Sequence, residues 1–351
     1  MRVSKILMAT AIVSATLALG ACSNSDEMEA VDITKPIQMN IGVGGVTQTR
    51  VAIVQPTDFE TGDAIGIYLA TANKSDASSE ATAVPAAIGD GKAVNNVKFT
   101  KTGTGTGWEG VIYWQNTSQL HTLYGYYPYD ENLTGESTTK SVTVARDQDN
   151  NSGKGYKDAD YLWAKNTPVL ASTSAQPMEL QHKMSRILIK LTAGNDLSQA
   201  ELEELAPSLK IVNKDNSGNG MTPLNGTFDI KDGSISISST SEKAGEITPY
   251  RVDGTVSGDT DKEYTYYAIL LPGTSFTKNA DFVKLTATDE TTYLYKLGTS
   301  SELTLVAGSE YVFTLKANKT GISLGNFTIK AWTSGDSASG GADMVVPEVN
   351  P

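Results

Sequence analysis

Apolar residues in this 351-residue chain come mostly in short runs that alternate with polar ones and stop at Gly, Asn, Asp or Ser. That period of two is the signature of a half-buried strand, and it leaves little room for helix. It predicts strands over Ala64–Leu69, Asn96–Thr100, Leu120–Tyr127, Arg186–Leu191, Tyr264–Leu271, Tyr311–Ala317 and Gly325–Ala331, among others. Only Ser198 to Leu205 reads as a helix: Ser198 followed by Glu201 fits a capping box, and Leu202 and Leu205 give an apolar edge. With 39% hydrophobic and 19% charged residues the chain can build cores, and its length suits two all-β sandwich domains in series. A small polar stretch, Thr173 to Pro177, precedes the strong strand at Ile187 and suggests a boundary there, giving domains 51–175 and 176–351.

The N-terminus has a different character. Arg2 and Lys5 precede a mostly apolar stretch from Ile6 to Leu19, the length of a signal peptide and short for a membrane span. It ends Leu19-Gly20-Ala21-Cys22, the pattern read by lipoprotein signal peptidase. Cys22 is the single cysteine, so no intrachain disulfide can form. Residues 1–21 are therefore expected to be removed and Cys22 to be lipidated. The acyl chains would attach the protein to the outer membrane, each buried methylene adding about 0.8 kcal/mol. The polar stretch Ser23 to Ala30, with Asp26, Glu27 and Glu29, would follow as a tether or acidic export tag for the lipoprotein export machinery.

A formal charge of −12 argues against nucleic acid or anionic lipid as a partner, since both need basic patches. Catalytic chemistry is equally poorly supplied. The two histidines, His121 and His182, lack neighbouring cysteines or carboxylates at ligand spacing. Neither a dinucleotide fingerprint nor a phosphate loop occurs. The expectation is no enzyme, no catalytic residue, no metal and no cofactor. One acidic loop, 147–158, has oxygen-bearing residues at alternate positions, as a calcium loop does, but Gly153 falls one place late and Asp158 stands where Glu is usual. A set of aromatics, Trp108, Tyr113, Trp114, Tyr124, Tyr126, Tyr127 and Tyr129, fits either core packing or a platform for glycans.

Ile37, Met39, Ile41 and Val43 alternate as a strand, which stops at Gly44-Gly45 and leads to Arg50 and the apolar Val51-Ala52-Ile53. An Arg-specific protease could reach an extended site between Arg50 and Val51.

Several segments, in order, resemble the fimbrillin (Mfa-like) family, subunits of type V pili. They are Thr49-Arg50 with Asp58 to Tyr68, Tyr126-Tyr127-Pro128-Tyr129, Asp160 to Ala164, Leu180 to Ile189, and Leu305 to Tyr311. The resemblance implies two transthyretin-like sandwich domains, and a lipidated segment 22–50 that carries a propeptide strand, Ile37, Met39, Ile41 and Val43. It also implies cleavage after Arg50 and exchange of that strand for a C-terminal strand of another subunit in a cell-surface fimbrium.

Two C-terminal segments qualify as the donor. Ile322, Leu324, Phe327, Ile329 and Trp332 alternate better, whereas Met344 to Val349 lies behind a Gly/Ser linker and could leave more easily. If Gly325–Ala331 is instead a core strand, a tip or accessory subunit is the better reading. A different class of function, a surface glycan-binding lipoprotein, would keep residues 23–50 and its lipid; a lipid-anchored hydrolase lacks a recognisable site.

Overall fold

The computed structural model describes residues 31–44, 59–73, 94–103, 107–134, 137–255, 262–298 and 302–332. As the alternation requires, strands dominate. The first five are β1 (Met39–Val43), β2 (Ala64–Asn73), β3 (Val97–Lys101), β4 (Trp108–Glu109) and β5 (Gln119–Tyr127). After β6 (Thr139–Thr143) and helix α1 (Asn150–Lys157) come β7 (Leu162–Lys165) and β8 (Gln176–His182). These, without β6, form a seven-stranded sheet in the order β1-β8-β7-β5-β2-β3-β4.

The centre of that sheet, β2 and β5, is buried on both faces, which is why β2 reads as a nearly continuous apolar run. Ile65, Ile67 and Leu69 of β2, with Leu123 of β5, point into one core together with Phe99, Ile112, Trp114, Met178 and Leu180. Tyr68, Ala70, Tyr124 and Tyr126, the intervening residues, point into a second core that continues through the rest of the molecule.

The chain crosses to a second sheet at Lys183-Met184, between β8 and β9 (Ser185–Ala193). Helix α2 (Gln199–Leu205) begins with the expected capping box: Ser198 Oγ accepts from the Glu201 N–H, and the Glu201 carboxylate accepts from the Ser198 N–H at 2.8 Å. Then come β10 (Asn225–Asp229), β11 (Tyr250–Thr255), β12 (Lys262–Leu270), β13 (Ser309–Asn318) and β14 (Gly321–Ala331). The second sheet runs β11-β12-β9-β13-β14, with β9 and β13 parallel and the other pairs antiparallel. A four-stranded sheet that includes Lys210–Val212, Asp281–Thr286 and Thr292–Lys296 makes the facing layer. Phe282 and Tyr295 from that layer meet Phe313 of β13, at ring separations of 4.7 and 6.4 Å.

β6 does not join the strands it follows in sequence. It pairs antiparallel with β10, far along the chain, so the two parts of the molecule share a strand pairing as well as a core. The all-β, sandwich-type fold is the one expected. A second short helix, α1, stands where an acidic loop was expected.

Candidate functional site: the seat of the first strand

β1 lies at the edge of the first sheet and pairs parallel with β8, Ile41 opposite Met178 and Val43 opposite Leu180. The ladder extends beyond the strand at both ends. Gln176 N–H donates to the Gln38 carbonyl, and Gly44 N–H donates to the Leu180 carbonyl, each at 2.8 Å. Main-chain groups alternate in direction along a strand, so Gln176, Met178 and Leu180 face β1 while Pro177 faces away. A proline is tolerated at that place because its missing N–H belongs to the side β1 does not use.

Upstream of β1 the chain makes a second attachment. Ile37 N–H donates to the Ile112 carbonyl at 2.8 Å, and Pro36 bridges Tyr113. Since Ile112 follows β4 at the far edge of the sheet, the segment around β1 spans both edges and closes the sheet over its core. Ile37 and Ile41 are 6% and 5% exposed, and Met39 and Val43 are half-buried against the same cluster. All four expected propeptide-strand residues thus pack on one side. Burial of the two isoleucines contributes about 1.5–3 kcal/mol each. Without β1, the β8 edge would offer unpaired main-chain groups along an open apolar groove.

Cys22, Arg50 and Val51 lie outside the described residues, Arg50 and Val51 in the stretch that joins β1 to β2. Met344 to Val349 lies outside them as well.

The five residues expected of a donor strand fall on or just after β14, the edge strand of the second sheet. β14 pairs along its length with β13, from Asn318 opposite Gly321 to Ser309 opposite Ala331. A register shift between Thr314 and Leu315 leaves Gly325 without an opposite partner. Such a bulge moves the alternation by one residue, so Ile322 before it and Phe327 and Ile329 after it pack on the same core. Leu324, beside the bulge, is 38% exposed, whereas Trp332 is 4% exposed. Phe327 meets Phe313 at 4.5 Å between rings.

The acidic stretch 147–158 is a structural joint. Asp147 Oδ1 accepts from the Asp149 N–H at 3.1 Å, and Asp149 Oδ1 from the Arg251 N–H at 3.1 Å. Asn150 Oδ1 accepts from the Gly155 N–H at 2.9 Å, and Asp158 is ion-paired with Lys154. Gln148 is fully buried, and its amide exchanges two hydrogen bonds with the backbone of Ile269, at 2.8 and 2.9 Å. The side chain thereby extends the edge of β12 past its last pairing with β11, at Tyr250 opposite Tyr267. These oxygens serve the backbone instead of converging on a centre. Among the described residues no group of three or more His, Cys, Asp or Glu could hold a metal ion.

The aromatic set is largely consumed by packing. Trp114, Tyr124 and Tyr126 are buried, and Trp108 and Tyr127 close edge-on over Phe59 at 5.0 and 5.4 Å. His121 is fully buried beside Trp114, at 5.0 Å between rings, and burial pulls its pKa down to about 4. His182 ends β8, and its Nδ1 bonds to Asp160 Oδ1 at 2.8 Å. The two histidines are 61 positions apart in sequence and lie in separate packing environments. Sequence reading missed a buried ion pair, Arg186 with Glu310, which the parallel register of β9 and β13 places side by side.

A family model described as fimbrillin-like matches residues 49–332. No curated protein matches the sequence. Among solved structures, a proposed cell adhesion protein from Bacteroides ovatus is 20% identical with a TM-score of 0.56, the match covering 85% of this chain and 98% of that one. Another from Bacteroides uniformis is 18% identical with a TM-score of 0.55, covering 86% of this chain and 100% of that one. A fimbrial protein from Bacteroides vulgatus is 11% identical with a TM-score of 0.48, covering 85% and 100%. At these identities the likeness is one of fold.

Proposed function

The chain belongs to the fimbrillin-like family, and from that premise we propose that it is a structural or adhesive subunit of a type V fimbria whose first strand is a removable plug. In this reading the precursor is exported as a lipoprotein, lipidated at Cys22 and held at the outer membrane by its acyl chains. An Arg-specific protease then cuts between Arg50 and Val51. β1, no longer covalently tied to β2, leaves its seat against β8, and a strand from another subunit takes its place.

The observation that carries this reading is the position of β1. It is a short edge strand paired only with β8, yet it and the residues just before it supply Ile41 and Ile37 to the first core. A strand so placed can be exchanged without rethreading the chain, and its loss leaves a groove that another alternating strand fits. The residues expected of a donor, Ile322, Leu324, Phe327, Ile329 and Trp332, lie on and after β14, which pairs along its length with β13 of its own subunit and packs on the second core. This favours a tip or accessory subunit, with Met344 to Val349 as the remaining donor segment. The division into domains 51–175 and 176–351 is kept as a proposal, although β8 (Gln176–His182) pairs within the first sheet, the chain crosses to the second only at Lys183-Met184, and the two parts share the β6–β10 pairing. The partners are other subunits of the fimbrium, the processing protease and the lipoprotein export machinery, and the site of action is the cell surface. Among the described residues no helix is long and apolar enough to cross a membrane.

The test compares purified precursor with Arg50→Ala, each treated with a low dose of an Arg-specific protease. Precursor should yield SDS-resistant ladders and the variant should stay monomeric and folded. Equal ladders from both would remove Arg50 from the account.

A further inference from the structure

At the junction of the two sheets, the residue that follows β14 is stacked on the residue that ends β8. The indole of Trp332 lies parallel to the His182 imidazole, 3.9 Å between ring centroids and 6° between planes. The Arg186 guanidinium carbon is 4.8 Å from the same indole. Trp332 N–H donates to the Gly308 carbonyl at 2.7 Å, fixing the indole in place from its own backbone. Around this stack Glu310, fully buried, is ion-paired with Arg186 on β9 and with Lys330 on β14 at 3.0 Å. A buried carboxylate held by two cations makes loss of either one costly. The end of β14 is therefore held by an aromatic stack, a cation–π contact and an ion pair together.

β8 carries the other half of the relationship. Its buried residues, Gln176, Met178, Leu180 and His182, share one face. Met178 and Leu180 pair with Ile41 and Val43 of β1, and His182 is the next residue on that face. A single strand thus contacts the first strand through its middle and the end of the last strand through its final side chain.

We propose that the His182–Trp332 stack is a latch through which β8 couples the seat of the first strand to the hold on the last one. With β1 seated, β8 is fixed by a ladder on that side, His182 is in register, and Trp332 is gripped, keeping β14 closed on its own subunit. When β1 leaves, β8 becomes an edge, its end loosens, and the grip on Trp332 weakens. Coupling of this kind is reciprocal: releasing Trp332 also weakens the hold on β1. The latch goes beyond the strand-exchange reading, and it is tested in unassembled, uncleaved protein so that the two can fail separately.

The experiment is amide hydrogen exchange, resolved by peptide, on the full precursor and on Ile41→Asn, Trp332→Ala and the double variant. Trp332→Ala should speed exchange across β14 about ten-fold or more while β12 keeps its protection, as local opening requires. Ile41→Asn, which acts on β1, should also speed exchange in β14, and it should add nothing further when Trp332 is already Ala. Exchange in β14 that ignores Ile41→Asn would overturn the latch, as would two effects that simply multiply. If Ile41→Asn does not fold, Ile41→Ala replaces it. If Trp332→Ala does not fold, His182→Ala removes the stack from the other side, and the same two outcomes decide.

Discussion

Ile37 donates its backbone N–H to the carbonyl of Ile112 at 2.8 Å, joining the segment that leads into β1 to the one that follows β4. Together with the ladder between β1 and β8, this bond makes residues 36–43 the closing piece of the first core. The closing piece is separated from the rest of its domain by the segment that contains Arg50, so one cut there would leave it held only by noncovalent contacts.

Trimming that piece should cost stability in proportion to burial. Ile41→Ala and Ile37→Ala each remove a buried side chain and should lower unfolding free energy by about 2–4 kcal/mol. Met39 is half-buried, so Met39→Ala should cost clearly less. Chemical denaturation of the uncleaved precursor gives the comparison.

Acid should weaken the fold through His121. Burial depresses its folded pKa to about 4 from 6.5, so the unfolded chain binds a proton in a range where the folded one does not. The contribution, roughly 3 kcal/mol, is fully present above about pH 6.5 and is lost as pH falls toward about 4. Replacing it with Gln should flatten that part of the stability–pH curve. An unchanged slope in His121→Gln would contradict the assignment.

Two glycines in the first sheet should respond in opposite ways. A Cβ at Gly66 would fall 2.1 Å from Cε1 of Tyr126, whose buried ring is pinned by a 2.7 Å hydrogen bond from its hydroxyl to Asn96. Gly66→Ala should therefore cost about 1–3 kcal/mol by overpacking. A Cβ at Gly42 meets nothing within 4 Å, and Gly42→Ala should be neutral or stabilise by about 0.4–1 kcal/mol through the unfolded chain. Thermal melts of the two variants check both signs.

Much of the fold was legible because alternation is a local property. β1, β2, β5, β9, β12 and β13 fall where the periodicity puts them, and the capping box at Ser198 and Glu201 forms as read. Pairing was not legible. Nothing near Thr139–Thr143 indicates that β6 crosses to Asn225–Asp229, because that choice is settled by which edge remains open after the rest has packed. The bulge at Gly325 was hidden for a related reason. Ile322 and Phe327 are out of phase in a regular strand, and only the register against β13 brings them to one face. For the acidic stretch, spacing indicated oxygen donors, but the direction of each oxygen is set by α1 and by the backbone of Ile269 and Arg251. The stack of Trp332 on His182 joins residues far apart in sequence and left no local trace.

The removable first strand is the centre of the account, and the N-terminus of assembled protein tests it most directly. Fibres sheared from cells and purified should give, by N-terminal sequencing and intact mass, a chain that begins at Val51 and carries no lipid. A chain that still begins at an acylated Cys22, with Ile37 to Val43 retained in the fibre, would contradict it.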